Sequence, residues 1–281
     1  MRRVIVLNTK GGCGKTTVAT NIAACYAARG YSTTLLDYDP QGSSLGWLKA
    51  RPGDAPRITG VNSYDSSRPP LSGAWQMQVP RDTQRVVVDT QGGIRATDLV
   101  GRVRPDDLLL IPIQASAMDI RASADFIRDL LLTAKIRYDN GRIGIIANRV
   151  REHSKSLDLL ERFLDTLKIP VIAKLRDAPQ YLQAADDGLG VYELPVKDKF
   201  RDQWLAWRNI LRWLERDAAD QDQPLADSGR SSRPQPIIAQ SEPAPRPAPA
   251  PLESEPESDS KHGGKRIPSF LTLPPDQRHQ H

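Results

Sequence analysis

The stretch LNTKGGCGKTT, residues 7–17, limits the possible folds of this chain more than any other segment. It continues RVIVLNT, residues 3–9, a β-branched apolar run suited to a buried strand. It runs into residues 17–29, where Val18, Ile22, Ala23 and Tyr26 recur at helical spacing. A strand, a glycine turn and a helix N-terminus make an anion site, because free backbone N–H groups and the positive end of the helix dipole point outward there. Gly11, Gly12 and Gly14 let the backbone wrap a phosphate with no Cβ in the way. Lys15 then reaches the β- and γ-phosphates, and the Thr16 hydroxyl can ligate Mg²⁺. Cys13 and Thr17 complete the expected nucleotide-binding turn.

Lys10 departs from the ordinary phosphate-loop pattern, which asks for no cation at the start of the loop. The sequence K-G-G-x-G-K-T-T, residues 10–17, resembles the deviant Walker A motif of the ParA/MinD family of ATPases. In that family the first lysine crosses a dimer interface to the nucleotide held by the partner. The resemblance implies that Lys10 is catalytic in this sense, serving the ATP of a second subunit, with ATP and Mg²⁺ as cofactors. It also implies a P-loop NTPase of the SIMIBI type.

Two more stretches fit the same family. LLDYDPQGS, residues 35–43, carries Asp37 and Asp39 at the end of a second apolar strand, where two carboxylates beside a phosphate loop can organise Mg²⁺ and a water. By resemblance to the family pattern D-x-D-P-Q-G, Asp39 polarises the attacking water and Asp37 supports the metal from outside its direct ligands. VVVDTQGG, residues 86–93, looks like a Walker B strand whose Asp89 holds Mg²⁺ through a water. Many family members read D-T-P-P or D-T-P-A here, whereas this chain has Thr90-Gln91-Gly92-Gly93 after the aspartate. IIANRV, residues 145–150, ends a strand with Asn148 and Arg149, an amide and a cation that resemble the adenine-binding pair of MinD-like members. ELPV, residues 193–196, places Pro195 beside the base on the same reading.

Short apolar strands at residues 33–37, 84–89, 107–113, 142–147 and 170–174 alternate with helical patterns, notably 119–134 and 156–167. Such alternation indicates an α/β, doubly wound, mostly parallel sheet with helices on both faces. Residues 51–80 are rich in Pro, Gly and Ser and hold one short strand near 58–61. The resemblance runs over residues 1–217, the expected ATPase domain. Twelve of the 23 prolines lie in residues 218–281, so the remainder reads as a disordered tail, with a small apolar island, IPSFLTLPP, near residues 265–275. With no helix-turn-helix ahead of the first strand, the chain resembles the short ParA class.

Residues 1–217 carry 32 Lys+Arg and 25 Asp+Glu, a net of +7, against 7 and 9 in the tail, a net of −2; the two sum to the stated +5. A basic fold suits polyanion partners. In the last helical segment, residues 196–216, Phe200, Trp204, Trp207, Leu211 and Leu214 form one stripe, expected to be core. Arg201, Arg208 and Arg212 fall within about 40° of one another on another face, which suits DNA phosphates bound without sequence preference. A MinD-like member would instead place a helix on a membrane, but no stable membrane insertion is expected, since a proline-rich tail comes after this helix and no apolar run approaches the length of a span. Cys13 and Cys25 have no spacing for a disulfide framework, a zinc site or an iron–sulfur cluster, and with a strand beginning by residue 3 no signal peptide is expected, so the expected location is cytoplasmic and nucleoid-associated. The resemblance therefore implies an ATP-sandwich homodimer that binds DNA nonspecifically and meets an adaptor protein that stimulates slow hydrolysis. Plasmid or chromosome partition is the leading role. Positioning of a protein organelle such as a carboxysome, or of a chemoreceptor cluster, is the alternative, and MinD-like division regulation is a further one.

Overall fold

The computed structural model describes residues 1–65, 67, 71, 76–134, 136, 141–167, 169–195 and 200–216. The expected tail, residues 218–281 with its apolar island, lies outside them, as does the start of the last helical segment at 196–199.

Seven strands form one sheet in which every pairing is parallel. They are β1 (Arg2–Val6), β2 (Thr33–Asp37), β3 (Ile58–Asn62), β4 (Arg85–Asp89), β5 (Leu108–Gln114), β6 (Ile143–Val150) and β7 (Val171–Arg176), in the spatial order β3-β2-β4-β1-β5-β6-β7. The helices are α1 (Lys15–Ala28), α2 (Ser43–Ala50), α3 (Ala96–Leu99), α4 (Ala117–Leu132), α5 (Lys155–Asp165), α6 (Gln180–Asp186) and α7 (Arg201–Glu215).

Alternate residues of the central strands feed two cores, which is why these strands read as unbroken apolar runs. Val4, Val6, Leu35, Val87 and Leu110 join α1, α2 and α7 on one face. Ile5, Leu7, Leu36, Val88 and Ile111 join α3, α4 and α5 on the other. Strands β2 to β4 lie on one side of β1 and β5 to β7 on the other, so the turn after β1 lies at the switch in strand order where doubly wound sheets bind ligands.

The last helix differs in detail from its expected stripe. Phe200, Trp207, Leu211 and Leu214 are buried, but so are Gln203, Ile210 and Trp213, and Trp204 is half-buried in a stack on Tyr192 at 5.1 Å. The buried face is wider than one stripe because α7 lies on β7 and also meets the turn at Val191–Glu193. Gly144 makes room for it: a Cβ there would lie 3.0 Å from the Trp213 ring and 2.6 Å from Ile172.

Candidate nucleotide site

The loop between β1 and α1 has the backbone that its glycines foretell. Gly12 and Gly14 adopt φ of 75° and 96°, a left-handed region that costs an L-residue with a Cβ. Gly14 is doubly required, since a Cβ would stand 2.0 Å from the Asn148 amide nitrogen. Lys15 opens α1 and is buried, its Nζ donating to the Lys10 carbonyl at 3.1 Å. The Lys10 N–H donates to Asn8 Oδ1 at 3.2 Å. Both backbone groups of Lys10 are therefore engaged, and its half-exposed side chain is the part left to face outward.

The three aspartates sit at the C-terminal ends of β2 and β4, beside this loop. Asp37 and Asp89 are register partners on the paired strands, and Tyr38 N–H bonds the Asp89 carbonyl at 2.9 Å. Their environments differ. Asp37 is fully buried and accepts from Asp39 N–H at 2.9 Å and from Leu45 N–H at 3.1 Å. It shapes the Asp39 turn and satisfies an orphan N–H in the first turn of α2. These bonds hold Asp37 in place behind Asp39, compatible with the supporting position outside the metal's direct ligands that the family resemblance implies. Asp39 is half-buried, and its Oδ1 accepts from Gln41 N–H at 2.9 Å.

Asp89 is fully buried, and neither carboxylate oxygen has a hydrogen bond of normal geometry among the described residues. Burial pushes its pKa up to about 7, opposed by the nearby Thr16 hydroxyl and Lys15 and reinforced by Asp37 and Asp39. An unsatisfied buried carboxylate is costly unless something completes it. A divalent cation fits, with Thr16 close by and the two other carboxylates adding negative charge. Among the described residues no group of three or more His, Cys, Asp or Glu side chains could hold a metal alone. The ion's remaining ligands would be phosphate oxygens and water.

The loop after Asp89 is stitched to the phosphate loop: Gly93 N–H donates to the Thr9 carbonyl at 2.7 Å, and the Thr90 hydroxyl donates to the Val6 carbonyl at 2.9 Å. A Cβ on Gly92 would stand 3.6 Å from the Gly11 Cα. The Gln91-Gly92-Gly93 variation thus packs glycine on glycine where the two loops meet.

Asn148 and Arg149 lie at the C-terminal end of β6, just before its last residue Val150. Asn148 is buried and its amide nitrogen donates to the Cys13 carbonyl at 2.8 Å. Arg149 is exposed at φ 49°, where the β6–β7 register shifts. This irregularity re-aims the side chain toward solvent. Pro195 is exposed and comes just after the turn at Val191–Glu193. A cavity of about 300 Å³ opens just beyond Arg149, lined among others by Val150, Arg176, Asp177, Pro179 and Phe200. It lies at the C-terminal ends of β6 and β7, and none of Asn148, Arg149 and Pro195 lines it.

On α7, Arg201 and Arg212 are exposed, and Arg208 is half-buried with its guanidinium 5.5 Å from the Trp204 ring centroid. None of the three has a carboxylate partner among the described residues. Lys174 and Arg176, by contrast, pair with Glu161 and Glu152 at 2.5 and 3.1 Å. No helix among the described residues is long and apolar enough to cross a membrane.

The family model for the CobQ/CobB/MinD/ParA nucleotide binding domain matches residues 4–191. The maintenance of carboxysome distribution protein A of Halothiobacillus neapolitanus is 28% identical over 195 residues, which cover 69% of this chain and 88% of that protein. Among solved structures, the MinD cell division protein of Aquifex aeolicus superposes with a TM-score of 0.58 at 19% identity, covering 77% of this chain and 98% of its own. Cyanothece McdA in its ATP complex gives 0.55 at 17%, covering 76% and 96%. These two likenesses carry the fold alone.

Proposed function

Because this chain belongs to the CobQ/CobB/MinD/ParA nucleotide-binding family, as the match over residues 4–191 establishes, we propose that it is an ATPase of the ParA/MinD type that dimerises on ATP and positions a cargo. The observation that carries this reading is the buried, unsatisfied Asp89 carboxylate facing Lys15 and Thr16. Mg²⁺, when bound, supplies a Lewis acid that offsets charge on the β- and γ-phosphates. Lys15 and the backbone N–H groups of Gly11 to Thr17 hold those phosphates, while Thr16 and Asp89 hold the ion. Asp39, fixed on its turn by Asp37, orients the attacking water. Lys10, its backbone engaged on both sides, extends its ammonium to the phosphates of a second subunit. Asn148, Arg149 and Pro195 frame the base side.

The ATPase domain is residues 1–217, with the tail of residues 218–281 after it. The dimer carries Arg201, Arg208 and Arg212 of each subunit to nucleoid DNA, in the cytoplasm, and an adaptor protein stimulates slow hydrolysis to release it. Sequence alone put plasmid or chromosome partition first. The extended similarity to a carboxysome distribution protein, over 69% of the chain, favours the alternative, in which the cargo is a protein body.

A titration on random-sequence duplex with ATP tests the surface. Arg208→Glu/Arg212→Glu should abolish binding and leave nucleotide affinity intact. Binding of the native chain should fall steeply with salt, each lost contact lowering the slope by about one. Binding to anionic liposomes and not to DNA would overturn the DNA reading in favour of a MinD-like membrane surface.

A further inference from the structure

The phosphate loop is held from behind by side-chain amides, one of them the Asn148 of the IIANRV stretch. Gln114 ends β5 and is the register partner of Asn148 on β6, so the two side chains leave neighbouring strands at one level and on one face. Gln114 Nε2 donates to the Gly12 carbonyl at 2.8 Å, and Asn148 Nδ2 donates to the Cys13 carbonyl at 2.8 Å. Two successive loop carbonyls are thus pinned by two adjacent amides. Their orientation is fixed by chemistry, since only the NH₂ end of an amide can face a carbonyl oxygen. A third amide, Asn8 just beyond β1, works in the other sense. Its Oδ1 accepts the Lys10 N–H, while its own NH₂ is anchored on the Pro112 carbonyl at 2.9 Å and the Ser123 hydroxyl at 3.0 Å.

We infer that Gln114 and Asn148 are positioning residues for phosphate binding: by holding the Gly12 and Cys13 carbonyls they aim the N–H groups of Cys13 and Gly14 at the phosphate. In a planar trans peptide the C=O and the adjoining N–H point in opposite directions. Pinning the Gly12 carbonyl back toward β5 therefore turns the Cys13 N–H forward. Pinning the Cys13 carbonyl toward β6 does the same for the Gly14 N–H. With left-handed glycines at 12 and 14, these successive N–H groups form a concave anion nest before any ligand arrives. The clamps are neutral amides, so they fix the loop without adding a charge that would compete with Lys15.

This inference rests on the nucleotide-binding reading, and its test separates the two. ADP and pyrophosphate, each with Mg²⁺, are titrated into the native chain and into Gln114→Met, Gln114→Glu and Asn148→Asp. Methionine keeps length and loses the donor; the acids keep shape and set an acceptor against a carbonyl. Gln114→Met should weaken ADP and pyrophosphate alike by about tenfold, and the two acid variants by more. Melting temperatures without ligand should stay within about 3 °C of native, which separates a bent loop from a damaged fold. Should Asn148→Asp weaken ADP but leave pyrophosphate unchanged, Asn148 acts through its base-side contact alone and its clamp role is wrong. Equal affinities in all variants would overturn the clamp while sparing the nucleotide site. A native chain that binds neither ligand would overturn both.

Discussion

Asp89 and Asp37 are partners in register and opposite in circumstance, and the contrast sorts the roles of the carboxylates. Asp37 is satisfied by backbone N–H groups, whereas Asp89 is buried with none. A carboxyl whose folded pKa is raised from 3.8 to about 7 favours the folded state below its unfolded value, and that contribution is lost as pH rises through 7. The ligand-free chain should therefore lose stability between about pH 4 and 7, by an amount on the order of a few kcal/mol. Asp89→Asn should flatten this dependence and raise the melting temperature at pH 8, while weakening Mg²⁺-dependent nucleotide binding. Melting curves across pH, with and without Mg²⁺–ADP, check both halves; an unchanged pH profile would remove Asp89 as its source. Asp39→Ala should keep ATP binding and slow turnover by about a hundredfold or more, as measured by phosphate release. Lys15 and Asp89 could be singled out in the sequence because one opens the helix after an apolar strand and the other ends such a strand. Gln114 and Asn8 were not, since their partners include carbonyls over 100 residues away in the chain.

Strands could be read to within a few residues because burial on both faces leaves little but apolar side chains in them. Helices depending on remote partners were harder. The sequence SSLGWLKA of α2 has a glycine in its middle, and the partner for one of its free N–H groups is Asp37, six residues before the helix begins. The short α6 is fixed through the turn at its C-terminal end. Arg51, at the end of α2, donates to the Gly188 carbonyl at 3.1 Å and pairs with Glu193 at 2.5 Å, and Trp47 donates to the Leu189 carbonyl at 3.2 Å. Gly188 is left-handed at φ 64°, and a Cβ there would lie 2.3 Å from the Arg51 nitrogen. Gly188→Ala should cost about 3 kcal/mol or more in chemical denaturation. Gly30 offers the control, with φ 82° and open space around it: Gly30→Ala should cost only about 1–2 kcal/mol, the left-handed penalty alone. Equal losses at the two sites would mean that the α2 junction yields easily.

One subunit brings the phosphate loop, Asp89 and Asp39 together, yet among the described residues only the backbone of Lys10, not its side chain, is engaged within the loop. The sequence carried that distinction in a single extra lysine, and a single chain offers no second nucleotide for it to reach. The account therefore predicts that Lys10→Ala binds ATP with native affinity and fails to pair, whereas Lys15→Ala fails at binding itself. Light-scattering mass measured behind size exclusion, with Mg²⁺ and either ADP or ATP, tests this most directly, using Asp39→Ala to hold ATP unhydrolysed. The expected result is a monomer with ADP, twice that mass with ATP, and a return to monomer when Lys10→Ala is added. An ATP-bound monomer, or a dimer indifferent to Lys10, would contradict it.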